Sequence, residues 1–439
     1  MINTKASIFL LFALTLLNAA CKKAEVTAED VPVSPTSGTR TQFTLDSIYL
    51  YANQIYLWSD ALPSYGQFNP RGYTAENTAM ANFKKELFTI SQLKLNPANG
   101  EPFELTATSG LSKYSYLENG NSKGLIAATG TSNQAAVLKT NLFTIDGEQI
   151  AYIAFGSFPV LTNSKTAIDN ALLPLAAADP RYIIIDLRSN GGGYVETAEY
   201  VANLVAGSAL NGKVMYTGQY NTLLQNGKAS ILKNQLYYDS QGKTVLLNGR
   251  NATMADVDFT TAGNTCLFSK KGTMENITEI CFIVSAQTAS ASELLISILK
   301  PYFKIKIIGQ KTYGKPVGFF PVNIDTYSVY IPSFILKNSL GWSDYYNGIT
   351  PDISVNMIEN PVLGDVEEVC LKAALTTIKT GLAKTTQVTG LTGGTLSTTI
   401  NGKAAVSSLQ SSAGPASAPA KTTALTGMIE TRYHLRKQD

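Results

Sequence analysis

The stretch YIIIDLRSNGGGYVETAEYVANLVA, residues 182–206, decides the fold. Its first four residues are apolar or aromatic and largely β-branched, without alternation, which is the pattern of a short strand buried on both faces. Three glycines, Gly191 to Gly193, then turn the chain, and over 195–206 the apolar residues recur at helical spacing. Outward from this unit the alternation repeats. EQIAYIAF (148–155) reads as a strand, 165–173 as a helix ending at Pro174, and ICFIVS (280–285) and IKIIG (305–309) as two more buried strands with a helix over 292–300 between them. Strand-helix alternation of this kind predicts an α/β (mixed α+β) layer architecture. Residues 210–275, with turn signals and isolated short strands, read as an elaborated insertion within the same domain.

Composition narrows the chemistry. The chain has 439 residues, 35 Lys and Arg against 32 Asp and Glu, and a formal charge of +3. No concentrated basic face is expected, so nucleic acid is excluded as a partner. The one histidine is His434, close to the C-terminus. A histidine base, or a His-ligated metal in the folded body, is therefore excluded, and neither cofactor nor metal is expected. Apolar and aromatic residues at helical spacing over 45–58, and again over 76–88, predict a small helical unit within an N-terminal region, 41–140, that also contains a Gly- and Ser-rich mixed segment. The aromatic stripe around Trp58 is read as core rather than as a sugar- or peptide-stacking surface. The main body is expected over 141–383. From 384 to 439 the chain is largely Thr, Ser, Gly, Ala and Pro, and is expected to be disordered because it lacks the large apolar residues that offset ordering entropy.

The N-terminus reads as an address. Lys5, an apolar run over 8–17, then Ala19, Ala20 and Cys21 followed by two lysines resemble a bacterial lipoprotein processing site. That resemblance implies a signal peptide over 1–20, a lipid-bearing Cys21, a tether over 21–40, and an envelope location. Cys266, Cys281 and Cys370 remain; their spacing fits no zinc template, one disulfide is open to them, and Cys281 reads as a buried small hydrophobe.

Two further segments can carry chemistry. IIIDLRSNGGGY (183–194) is either a source of backbone N–H groups for a developing oxyanion or a tight turn with Asp186 and Arg188 as a structural ion pair. SAQTASASELLISILK (285–300) puts small residues between a buried strand and a helix start, where the positive end of the helix dipole favours negative charge. Taken alone, its serines read as N-caps. A serine nucleophile would need a base, and without a core histidine lysine is the remaining choice, provided burial lowers its pKa from about 10.4. Lys315, in KTYGKPVGFF (311–320), has that apolar and aromatic setting; Lys311 is its competitor.

DLRSNGGG, TASASE and KTYGKP, in this order, resemble the three signature segments of the S41 peptidases, the C-terminal processing or tail-specific protease family. The resemblance covers about 148–380. It implies a crotonase-like core, a Ser-Lys dyad of Ser290 and Lys315, and oxyanion donors at the backbone N–H groups of Ala291 and Gly192. NGITPDISV (347–355) looks like that family's closing strand. The implied activity is cleavage of unfolded proteins or peptide tails. Two departures qualify it. Only about 30 residues separate KYSYLE (113–118) from the strand at 148, too few for the PDZ module many members carry. Phe319 stands where many members have a lysine-orienting glutamine. A catalytically weak, lipid-anchored peptide-binding protein on the same fold is the alternative reading, and a carbohydrate-binding surface lipoprotein a third.

Overall fold

Alternation along YIIID sets the layers. In the computed structural model, which describes residues 35–106, 108, 110–122, 135–239, 242–358, 360–389, 428–429 and 432–436, Ile183 and Ile185 join one apolar cluster. Tyr182 and Ile184 join a second cluster on the opposite face. The signal, Cys21 and most of the tether lie outside the described residues.

The helices longer than one turn are α1 (Arg40–Ile55), α2 (Ala79–Ser91), α3 (Leu161–Ala177), α4 (Val195–Val205), α5 (Ala291–Leu299) and α6 (Val369–Thr389). Apart from a two-residue pair, Leu246–Leu247 with Arg250–Asn251, the strands begin with β1 (Tyr116–Asn119), β2 (Val137–Ile145), β3 (Glu148–Phe155), β4 (Tyr182–Asp186), β5 (Val214–Tyr220), β6 (Thr265–Leu267), β7 (Glu279–Val284) and β8 (Lys304–Gly309). Six more follow: β9 (Val317–Phe319), β10 (Pro321–Ile324), β11 (Tyr327–Tyr330), β12 (Phe334–Asn338), β13 (Ile353–Ser354) and β14 (Met428–Ile429).

The main sheet has the order β13-β8-β7-β4-β3-β2 and is parallel except for the β2–β3 hairpin. That hairpin turns at Asp146 and Gly147, both at positive φ (51° and 85°), the conformation an Asp-Gly two-residue turn favours. One face of the sheet is covered by α6, whose Cys370, Leu371, Ala374 and Ile378 pack with Ile184, Cys281 and Ile283. On the other face α4 and α5 pack together, and α5 also meets β5 and β12 of a second, five-stranded sheet ordered β14-β9-β12-β5-β6. Segment 210–275 is thus no appendage, because it supplies two strands of this second sheet. A three-stranded antiparallel sheet, β1-β11-β10, completes the body.

The N-terminal helices are continuous with this core. Thr39 and Gln42 close a capping box at the start of α1, which then buries Leu45, Ile48, Tyr49 and Ile55. Trp58 is buried and stacks on Phe103 at 4.7 Å, so the aromatic stripe is core, as the spacing indicated. Strand β1 pairs with β11 in register Tyr116↔Tyr330, joining region 41–140 to the body.

Two details depart from the sequence expectations. Helix α3 runs through Pro174 to Ala177. Pro174 and Asn170, whose carbonyl loses its partner, both lie on the exposed face where water can take the bond. The 384–439 stretch is not uniformly without structure: α6 extends to Thr389, and 428–429 and 432–436 return to the body. Met428 is fully buried, so one large side chain is enough to anchor a segment whose average composition is poor in them. Cys266, Cys281 and Cys370 are all free thiols, with Cys281 buried in β7.

Candidate active site

The three chemistry-bearing segments meet at the C-terminal ends of β4 and β7, and hydroxyl side chains tie them together. Ser285 Oγ donates to the Arg188 carbonyl at 2.6 Å, Thr288 Oγ1 to the Leu187 carbonyl at 2.8 Å, and Ser292 Oγ to the Asn190 carbonyl at 3.1 Å. The small polar residues of SAQTASAS thus satisfy the carbonyls of a turn that has left the sheet ladder. Asp186 and Arg188 pair at 2.8 Å, the structural reading of that turn, and Arg188 extends the pair to Glu368 at 2.7 Å. All three side chains are buried.

Ser290 occupies the N-cap of α5 with φ 61° and ψ −119°. This is a strained conformation for a residue with a Cβ, costing on the order of 1–3 kcal/mol, and such strain is concentrated where chemistry or binding needs it. Its Oγ is buried without a hydrogen-bond partner. Ser290 therefore does not serve as a conventional cap. Its N–H instead donates to Glu293 Oε2 at 2.9 Å.

Lys315 is 2% exposed, whereas its competitor Lys311 is exposed on the same loop. Burial pushes the Lys315 ammonium down to about 8, opposed by the carboxylates of Glu104 and Glu293 and assisted by the charge on Lys113. The Lys315 N–H donates to Glu293 Oε2 at 2.8 Å and the Gly314 N–H to Oε1 at 2.7 Å, with Thr312 Oγ1 also donating to Oε1. One buried carboxylate thereby holds the backbones of both Ser290 and Lys315.

Gly192 lies against Ser290. A Cβ there would lie 2.8 Å from Ser290 Cβ and 3.0 Å from the Ala291 nitrogen, and its φ is +103°. Its N–H, however, donates to Asn190 Oδ1 at 2.9 Å, while Asn190 Nδ2 is buried with no partner. Ala291 provides the first amide of α5, a position that has no acceptor within its own helix.

Comparison with known proteins follows this geometry. Residues 149–355 match the family model for peptidase family S41. That segment is similar to peptidase family S41. A "Probable CtpA-like serine protease" of Staphylococcus epidermidis is 24% identical over 237 residues, covering 51% of this chain and 39% of that protein. The chain thus spans about two fifths of the length of the curated relatives it matches. Among solved structures, the photosystem II D1 C-terminal processing protease is 14% identical with a TM-score of 0.46, covering 76% of this chain and 97% of that one. A lipoprotein from Streptococcus agalactiae is 14% identical with a TM-score of 0.45, covering 80% and 99%.

Within this S41 segment, Phe319 does not leave Lys315 unsupported. Its ring centroid lies 4.9 Å from Lys315 Nζ, and that of Tyr114 lies 5.9 Å away. Tyr116 and Tyr330 brace Phe319 edge-on at 5.6 and 5.5 Å. Tyr114 is itself fixed, donating its hydroxyl to the Gly314 carbonyl at 2.7 Å.

Four residues escaped the sequence reading. Glu293 was announced only by the Ser-x-x-Glu capping pattern at 290–293. Asn190 carried no signal beyond its place beside the glycines. Lys113 and Glu104 reach the site from the N-terminal region. Burial pushes Lys113 down to about 8 as well, and it donates to the Tyr346 carbonyl. Glu104 accepts from Tyr56, Ser115 and the Tyr114 N–H, which fixes the segment lying over the lysine loop. Among the described residues no group of acidic, His and Cys side chains could hold a metal ion.

Proposed function

We propose that this chain is a serine endopeptidase whose nucleophile is Ser290 and whose general base is Lys315. The observation that carries the reading is the convergence of both residues on Glu293, with the serine hydroxyl unpartnered and the lysine depressed to about 8. Neutral Lys315 accepts the Ser290 proton as Oγ bonds to a peptide carbonyl carbon, and the carbonyl electron pair moves onto oxygen. The Ala291 N–H faces that oxyanion. The second donor comes from the glycine turn: either Gly192, once Asn190 yields its bond, or Asn190 Nδ2, which already lacks a partner. Collapse expels the amine, which takes the proton from Lys315, and a water activated by the same lysine resolves the acyl-enzyme.

The substrates are extended or unfolded polypeptides, since main-chain recognition suits a chain without its own structure. The N-terminal pattern around Cys21 supports a lipid anchor in the bacterial cell envelope. None of the described helices is long and apolar enough to cross a membrane.

The alternative, a catalytically weak peptide-binding protein, draws on one observation: Ser290 and Lys315 are both buried from solvent. Exposing the chain to a library of unstructured peptides separates the two readings. Ser290-dependent cleavage supports the peptidase, while binding without turnover supports the alternative.

A further inference from the structure

Strand β9 begins two residues after Lys315. One of its edges pairs with β12, in register Val317↔Ile335 and Gly318↔Phe334. Its other edge is paired by the chain's own C-terminal segment, β14, in register Gly318↔Met428 and Phe319↔Ile429. An edge strand left open offers a row of N–H and C=O groups to any extended chain.

The occupant is held mostly away from the strand. Arg432 makes two bonds to Glu199 at 2.7 and 2.6 Å, and the Glu199 side chain is only 8% exposed. A buried carboxylate on α4 thus has its cation supplied by the tail, and losing that partner would be costly. Asp258 donates its N–H to the His434 carbonyl at 2.7 Å, Arg436 donates to the Asp256 carbonyl at 2.9 Å, and Tyr237 donates to the Tyr433 carbonyl at 2.8 Å. Residues 432–436 are therefore held by main-chain and side-chain bonds together.

We infer that the edge of β9 opposite β12 is a docking edge for extended polypeptide, and that residues 428–429 and 432–436 are its resident occupant, which substrate must displace. This rests on the peptidase reading and adds regulation to it. Two facts support it. The edge adjoins Lys315 in sequence, and Phe319 on that strand touches the lysine. Main-chain pairing reads no side chains, matching unfolded substrates.

The test uses the full chain carrying Ser290→Ala, so that binding is read without turnover, and fluorescein-labelled, reduced and carboxymethylated α-lactalbumin as the probe. Arg432→Glu sets two carboxylates against each other and releases the tail; Ile429→Pro removes a pairing amide from the tail alone. Each is expected to tighten probe binding at least fivefold. Combining Arg432→Glu with Glu199→Arg is expected to restore the parent affinity, and a synthetic peptide of residues 426–437 should compete with the probe on the released chain. Unchanged or weaker binding in both single variants overturns the latch alone. Absence of binding by every variant overturns the latch and the polypeptide reading together, whereas hydrolysis of the probe by the Ser290→Ala chain at the rate of the unmutated one sinks the peptidase reading and leaves the binding result standing.

Discussion

Ser290 and Lys315 present their main-chain N–H groups to the same oxygen, Glu293 Oε2, at 2.9 and 2.8 Å. The two nitrogens are therefore no more than about 6 Å apart, although 25 positions separate them in sequence. A single buried carboxylate thereby holds the main chains of the two residues proposed to exchange a proton.

Glu293→Gln tests that clamp. The amide has one carbonyl oxygen for four N–H and O–H donors, and in either orientation its NH₂ faces at least one main-chain N–H, which can only donate. Leaving a buried donor unpaired costs about 1–3 kcal/mol, so the melting temperature is expected to fall by several degrees. Peptidase activity should fall further than stability explains, by about 100-fold, the scale on which a misplacement near 1 Å is felt. Thermal melts and single-turnover rates on the same preparation separate the two effects.

The pH dependence follows from Lys315. With its ammonium at about 8 in the fold and near 10.4 when unfolded, the folded state binds fewer protons between those values. Stability therefore rises as pH climbs through that window, and burial is penalised below it. Activity should rise over the alkaline side with a midpoint near 8, as neutral lysine accumulates. Lys315→Met should diminish the stability rise, leaving the part that Lys113 contributes, and stabilise the chain at pH 7 by up to roughly 3 kcal/mol. Lys113→Met removes a neighbouring positive charge that pushes Lys315 down, so the activity midpoint should move upward. Denaturation curves and rate profiles between pH 6 and about 10 check both.

The adjacent glycines should separate function from folding. Gly192→Ala sets a methyl 2.7 Å from the Ala289 carbonyl and 2.8 Å from Ser290 Cβ, which displaces the serine turn. Gly193→Ala meets the Phe158 carbonyl oxygen at 2.0 Å, in the contact that ties the turn to the end of β3. The first is expected to lower activity at least tenfold while the fold survives; the second should be the more destabilising. Melting temperature and turnover, measured side by side, distinguish them.

Removing one member of the buried Asp186–Arg188–Glu368 set leaves charge without a partner. Glu368→Ala is expected to cost about 3–5 kcal/mol, because the Arg188 guanidinium is buried and loses two bonds at 2.7 and 2.8 Å. Urea denaturation measures it directly.

How far these features were legible differs by residue. The strand YIIID and the helix after it could be read because a both-face-buried strand and a helical repeat are local patterns. Lys315 was legible too, since the absence of a core histidine left few bases and its neighbours are apolar. Glu293 was only half legible: its bond to Ser290 is a capping pattern within four residues, but its bonds to Gly314 and Lys315 arise where distant strands end together. Phe319 looked like a missing support for the lysine, and only the fold shows its ring, braced by Tyr116 and Tyr330, beside the ammonium. The docked C-terminal segment was hidden by averaging, because Met428, Arg432 and Leu435 follow a long stretch of small polar residues. Pairing between β14 and β9, more than a hundred positions apart, leaves no periodicity to find.

The central claim is that Ser290 and Lys315 act as one unit. It is tested most directly by single-turnover cleavage of an unfolded polypeptide at pH 8.5 by Ser290→Ala, Lys315→Met and the double variant. Residues acting as a unit are strongly non-additive. The prediction is that each single variant loses at least about 1000-fold in rate and the double variant loses no more. Wild-type rates in either single variant, or losses that multiply in the double, would contradict it.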